Sequence, residues 1–569
     1  MFDAKQLLAN EYFPSELPPC FTTVNLANEY LVATQTAVSF GRDCSIPLTF
    51  SGYKTENGRR RFALPNPFHY CRVVDFIVNH ESEIKTILRK SRHSLTAPLD
   101  KPSSPGEPYA KRTHTVSETK AEIEQLYQNN LYEIRLDISS FFDSIYTHTI
   151  PWAIHGVSAS KKNRSNALWG NELDMRMRAM NHNQTNGILI GNAISRIVSE
   201  IILCVVDEQI QKKFPDLVYC RYVDDYYIFT QDSAQIQAII AEVRIALAKY
   251  QLSFNEAKLR ISESPFQYGK VWVDSLRHYI YLSPEAYLSR LIAEYNQQKD
   301  ISILRYGLRV LESCRFTDKA WSVIQSRLLN LWVSFPSLAD RILPILWQNK
   351  TQLKKNPLRS AVLSVIDRSL ALGLEQELIW AVWLLRVFDI KVSQNNVLRV
   401  LKSNNDLAII IMLDIIAIKD MKKQSAIEKQ LRELRTMLEN ADKAESRTSQ
   451  ELMWSSHWLL AYEAERMKWL KFPGQPFEYA CKNSFFKKLL EKHVKFYDET
   501  FSYDAPTTIV KGRYDLVSRA ELHAAMNRLL KKIAARMKTI RDKHAEWTKE
   551  DEQMMEEYTR MLEDQEYAY

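Results

Sequence analysis

Apolar and polar residues alternate with a period of two through "LYEIRLDISSFF" (131–142) and "LVYCRYVDDYYIF" (217–229). That period predicts strands, and "QYGKVWVDS" (267–275) reads as another. Between the first two, "GNAISRIVSEIILCVVDEQIQKKF" (191–214) spaces its apolar residues at helical intervals and opens on small residues, as a buried helix does. Upstream, "GRRRFALPNPFHYCRVVDFIVNHESEIKTILRK" (58–90) gives a basic turn, a short strand, a Pro-Asn-Pro break and a helix. Proline and serine crowd residues 94–117, which predicts a surface loop. Past residue 290 the texture changes. Segments such as "LRSAVLSVIDRSLALG" and "QELIWAVWLLRVFDI" are short amphipathic helices separated by Pro, Gly or Asn, without a strict repeat. Successive pairs of this kind predict a HEAT-like or irregular α-solenoid. The expected organisation is an α+β part over 1–290, a HEAT-like α-helical region over 291–510 and a C-terminal helical tail over 511–569. In the tail a basic run (528–544) precedes an acidic one (550–569), which reads as one solvated amphipathic helix.

Composition narrows the class. A chain of 569 residues exceeds one hydrophobic core, and 46% hydrophobic with 25% charged residues is ordinary for a globular protein. Only 13 glycines favour helices over tight turns, and a net charge of +8 is compatible with a nucleic-acid partner. The seven cysteines form no CxxC pair and no Cys/His cluster at zinc spacing, as expected of reduced thiols in a cytoplasmic protein. No secretory signal is visible at the N-terminus. The apolar stretch "NDLAIIIMLDIIAI" (405–418) contains Asp414 and is too short to span a bilayer, so it reads as a buried helix and no membrane partner is expected.

Within "RYVDDYYIF" two adjacent carboxylates, Asp224 and Asp225, sit in a strand-like apolar run, where unpaired charge is costly. A hairpin with the pair at its tip would hold them at a surface while the apolar neighbours anchor it. Asp137 ends the other acid-bearing strand, and side-by-side strands would make Asp137 and Asp224 face the same point. Carboxylates so gathered repel one another unless a divalent cation lies between them, and magnesium suits oxygen ligands and substrate phosphates.

Further blocks follow in order. The set resembles the reverse-transcriptase family, whose palm carries "DxxxxF" in one strand and "YxDD" in a hairpin. Here these are "DISSFF", with Asp137 and Phe142, and "YVDD", Tyr222 to Asp225. The family's "GxPQGxxxS" turn and helix reads "GILIGNAIS", Gly187 to Ser195, with Ile190 standing where the family has glutamine. "RRFALPNP" fits the basic fingers strand, and "LSFNEAKLRI" resembles "LxLNxxKT". The resemblance implies a fingers-palm fold in which Asp137, Asp224 and Asp225 are catalytic. They would bind two Mg2+ ions (Mn2+ being the alternative), with the Ile138 carbonyl completing one shell. It also implies that Arg60 or Arg61 faces the triphosphate, together with Gly187, Ile190 and Gly191, and that Lys258 protonates pyrophosphate. Phe142 would lie beneath the sugar and disfavour a 2′-hydroxyl by on the order of 1–3 kcal/mol, which favours dNTPs.

"EYFPSELPPCFTT", "FFDSIYTHTIPWAIHG" and the helical C-terminal half resemble the bacterial abortive-infection and defence-associated reverse transcriptases, the AbiK/AbiA-like group. That likeness implies antiphage defence, a single-stranded DNA product and a homo-oligomer, trimer or hexamer. Synthesis would be either template-independent and protein-primed, with Tyr558, Tyr567 and Tyr569 as candidate primers, or templated by a noncoding RNA. The alternatives are an RNA polymerase on the same palm and a catalytically silent nucleic-acid-binding scaffold.

Overall fold

Among the described residues all six strands precede residue 264, and helices account for nearly all regular structure after it. The computed structural model describes residues 2–9, 11–29, 44–55, 58–98, 116–266, 270–277, 283–312, 316–445, 452–503, 519–543 and 547–566. Most of the expected 94–117 loop lies outside them.

Strands β1 (Leu48–Thr55) and β2 (Gly58–Leu64) form an antiparallel hairpin in which Phe50 faces Phe62 and Gly52 faces Arg60. A second, antiparallel sheet contains β3 (Tyr132–Asp137), β4 (Val218–Tyr222), β5 (Asp225–Thr230) and β6 (Arg260–Glu263) in the order β4-β5-β3-β6. Strict alternation splits this sheet into two faces. Ile134 and Leu136 sit opposite Ile228 and Tyr226 and are buried in the main core. Asp137, Arg135 and Glu133 sit opposite Asp225, Tyr227 and Phe229 on the other face. That second face is covered in part by a small cluster of Leu95, Ile123, Cys220 and Phe229. The Ala193–Lys213 helix, capped by the Asn192 side chain, is apolar around most of its circumference and packs on the Ile236–Ala248 helix.

The strand expected in "QYGKVWVDS" is instead a helix over Val271–Arg277. Trp272 and Leu276, four residues apart, are its buried pair, and Trp272 meets Tyr306 of the Ile301–Glu312 helix edge to face at 5.6 Å. Four residues of alternation fit both periods, and the neighbouring helix decides between them. The sheet's last strand is β6, whose four residues are all exposed and carry no hydrophobic signal.

From Pro284 to Arg466 the described chain is helical apart from short connections, and many helices touch the helix two places on as well as the next; a non-helical stretch, 467–479, then precedes the Ser484–Glu491 helix. The Asp406–Ile418 helix is buried from Asp406 to Ile416, as its sequence predicts. Its Asp414 accepts from Arg386 Nε (2.6 Å) and Tyr497 OH (2.9 Å), so the buried charge is paired. The N-terminal segment is held by the far end of the chain. Thr22 N donates to Phe496 O (2.9 Å), Asp498 N to Cys20 O (2.7 Å) and Ile46 N to Trp454 O (2.9 Å).

The tail is two helices rather than one: Arg519–Lys543 and Lys549–Glu566 pack together and are tied by Arg536 Nε to Asp551 Oδ1 at 2.8 Å. Thr548 and Asp551 exchange side-chain and backbone hydrogen bonds, a capping box that starts the second helix. No helix among the described residues is long and apolar enough to cross a membrane. No disulfide joins the six described cysteines.

Candidate active site

The β4–β5 turn places Asp224 at the tip of its hairpin, and register places Asp225 directly across from Asp137. Ile138 N donates to Asp224 O (3.3 Å), which fixes the tip against the end of β3. Burial first, then the charges of Asp225 and Asp137, push Asp224 up to about 7. Burial and Asp137 push Asp225 to about 6, against the pull of Lys258 and Arg135. Lys258, on the Glu256–Lys258 turn after the helices, lies with Nζ 2.5 Å from Asp137 Oδ2, a bond that raises its own pKa. Among the described residues no group of three or more His, Cys, Asp or Glu side chains is gathered as a ready-made metal site. Asp137, Asp224 and Asp225 nevertheless supply hard oxygen donors of the kind a divalent cation takes.

Several of the other expected residues are tied together through the glycine turn and the first hairpin. Gly187 (φ +80°) and Gly191 (φ +105°) both occupy the left-handed region, which explains the glycines of "GILIG". A Cβ on Gly191 would meet Pro14 Cγ at 2.6 Å, so the N-terminal segment presses on this turn. Ile188 N donates to Phe142 O (2.9 Å), and the half-buried Phe142 ring packs beside Phe141. The Ile190 carbonyl accepts from Ala63 N of β2 (3.1 Å), joining the turn to the first hairpin. Alternation along β2 separates the two candidate arginines. Arg61 donates to Thr49 Oγ1 (3.1 Å), whereas Arg60 shares a face with Phe62, and its charge pulls Asp224 downward. Tyr558 is buried, not exposed as a priming hydroxyl must be. Tyr567 and Tyr569 lie outside the described residues. His148, from "SIYTH", is hydrogen-bonded through Nδ1 to Asp174 Oδ2 at 2.7 Å.

Residues 79–272 match the family described as reverse transcriptase (RNA-dependent DNA polymerase). Over this range the chain carries a match to a reverse transcriptase domain, a family of nucleotidyltransferases. Among solved structures, apo telomerase from Candida tropicalis is similar at 12% identity over 69% of this chain and 70% of that one, with a TM-score of 0.30. Telomerase from Candida albicans in complex with a fragment of telomeric RNA gives 11% identity, 63% and 64% coverage and a TM-score of 0.28. A C-terminally truncated C. tropicalis telomerase gives 14%, 41% and 52%, with a TM-score of 0.26. The chain thus spans 52% to 70% of the length of these telomerase chains. No curated protein matches it in sequence.

The reverse transcriptase domain also contains a network that pattern reading missed. Arg221 is fully buried beneath the aspartates. Its guanidinium meets both Glu200 oxygens (3.0 Å each) and Asp207 Oδ2 (2.9 Å), and donates to the Val223 carbonyl (2.7 Å). Glu200 in turn accepts from Thr96 Oγ1 (2.7 Å) and Ser94 Oγ (2.8 Å), and Thr96 Oγ1 accepts from Val223 N (3.2 Å). Burial works against charge here, but Arg221 and the two hydroxyls hold Glu200 below the usual carboxylate range. Val223 has φ +55°, costly for a β-branched residue by about 1–3 kcal/mol. Arg221 and Thr96 grip that strained peptide unit on both sides and so orient the turn. The available signal was two acids seven residues apart, Glu200 and Asp207, inside an apolar helix.

Proposed function

We propose that the chain is a DNA polymerase of reverse-transcriptase type that adds deoxynucleotides in bacterial antiphage defence. The observation that carries the polymerase reading is the set of carboxylates, Asp137 across from Asp225 with Asp224 at the adjoining tip, inside a reverse transcriptase domain. Asp137, Asp224 and Asp225 would hold two magnesium or manganese ions, with the Ile138 carbonyl as a further donor. When bound, such ions activate the attacking hydroxyl and offset charge on the departing pyrophosphate. Lys258, now on Asp137, is the mobile cation that gives a proton to that leaving group. Arg60 neutralises triphosphate charge, being the arginine whose field reaches Asp224; Arg61 is turned toward Thr49. Gly187 and Gly191 let the backbone approach the nucleotide, Phe142 excludes the 2′-hydroxyl, and Ile190 alters how template and nucleotide are contacted.

The defence reading rests on the likeness of "EYFPSELPPCFTT" and "FFDSIYTHTIPWAIHG" to abortive-infection reverse transcriptases. With it come a cytoplasmic location, a trimeric or hexameric assembly, and a single-stranded DNA product that is either protein-primed or copied from a noncoding RNA. The boundaries 1–290, 291–510 and 511–569 and the HEAT-like character of the middle region belong to the same proposal. Contacts between helices two places apart support the repeat.

Labelled dNTPs or NTPs, incubated with the protein and magnesium with and without RNA, test it. Incorporation of dNTPs supports a DNA polymerase, and incorporation of NTPs alone an RNA polymerase. No incorporation under any condition leaves a scaffold. Sequencing the nucleic acid that copurifies separates templated synthesis, marked by one defined RNA, from template-free DNA joined to protein.

A further inference from the structure

A two-stranded hairpin is marginal in water, because both its outer edges leave backbone groups unpaired. The β1–β2 hairpin, which carries Arg60, is held on both. On the β2 side, Ala63 N donates to Ile190 O of the glycine turn. On the β1 side no strand is present among the described residues; consecutive side chains of the Glu375–Val387 helix replace one. Ser51 N donates to Glu375 Oε2 (2.5 Å) and Tyr53 N to Gln376 Oε1 (2.9 Å), the alternate amides that a third strand would have taken. Glu377, 3% exposed, receives Arg59 in a two-pronged ion pair, Nη1 to Oε1 at 2.6 Å and Nη2 to Oε2 at 2.7 Å. Fork geometry makes this a directional contact that lysine would not reproduce. The same helix reaches the N-terminal segment. Trp380 Nε1 and Gln376 Nε2 both donate to the Glu16 carbonyl, at 2.8 and 3.2 Å. Two residues before Glu16, Pro14 presses on Gly191.

The structure assigns Glu375, Gln376 and Glu377 as positioning residues for the nucleotide site: we infer that the helical half sets where Arg60 stands above Asp224. Arg59 and Arg60 are neighbours on opposite faces of β2, so anchoring the first outward fixes the second inward. This rests on the polymerase reading above. It differs from a merely structural contact by falling on nucleotide affinity.

The test uses the full chain with Arg59→Ala, Glu377→Ala and the double variant, measuring KM and kcat for one dNTP alongside thermal stability. Each single change should raise KM by about tenfold and move kcat by less than about twofold. The double variant should be no worse than either single, because one pair has been broken. Unchanged KM in folded variants, or KM and kcat lost together with stability, overturns the inference. Hydrogen exchange gives an independent readout with Glu375→Ala/Gln376→Ala. The Ser51 and Tyr53 amides should lose protection relative to wild type, and unchanged protection overturns the brace. Should the wild type add no nucleotide, the polymerase reading has failed, and the exchange pattern still decides the brace.

Discussion

A carboxylate whose pKa is lifted by burial and by like charges costs stability whenever it is ionised. Asp224 goes from an ordinary 3.8 to about 7 on folding, so the folded state binds its proton more tightly. The contribution is complete below about pH 4 and is lost as pH rises through about 7, on the order of 2–4 kcal/mol. Metal-free protein should therefore melt higher at pH 5.5 than at pH 8. Asp224→Asn should raise the melting temperature at pH 8 in EDTA and change it little at pH 4. Magnesium at pH 8 should raise the wild-type melting temperature more than that of the variant. Arg221→Met should act oppositely, leaving Glu200 and Asp207 buried without a cation. A loss of about 3–5 kcal/mol is expected in denaturant titrations. Of these residues the aspartates were legible in the sequence, because charge in an apolar strand demands a reason. Arg221 was not, since its partners Glu200 and Asp207 lie on the preceding helix, and nothing in the strand's own pattern points to them.

Element by element, the strands bearing Asp137, Asp224 and Asp225 and the helix after Gly191 follow from their periodicity. Alternation explains how "RYVDDYYIF" is at once apolar and acidic: Arg221, Tyr226 and Ile228 face the core, while Asp225 and Tyr227 face away from it. Short segments were not legible in this way. Residues 271–277 fit both periods, and β6 has no apolar residue buried. The tail's second helix begins at a Thr548–Asp551 capping box that a charge-run reading passes over. The glycine turn offers a test at this scale. Gly191→Ala puts a methyl group 2.6 Å from Pro14 Cγ at a φ of +105°. It should cost about 1–3 kcal/mol of stability and raise KM for dNTP, read by melting and steady-state kinetics. Gly373→Ala, at φ +65° with nothing within 4 Å of the added carbon, should cost less and leave KM alone.

Across the whole molecule, composition and texture separate an α+β half from a helical half, yet the halves are stitched together. Phe68 packs against Trp454 and Phe485, Asn66 Nδ2 donates to Met453 O (2.7 Å), and residues 20–22 bond to 496–498. Such contacts, hundreds of residues apart, leave no local mark in a sequence. Residues 1–283 expressed alone should consequently lack a cooperative melting transition, although they contain every candidate catalytic residue. The most direct test of the central claim is magnesium-dependent incorporation of labelled dNTP by the full chain beside Asp224→Asn and Asp225→Asn. Incorporation by the wild type, lost by at least about a hundredfold in both variants, is the predicted result. Undiminished incorporation by folded variants would contradict it.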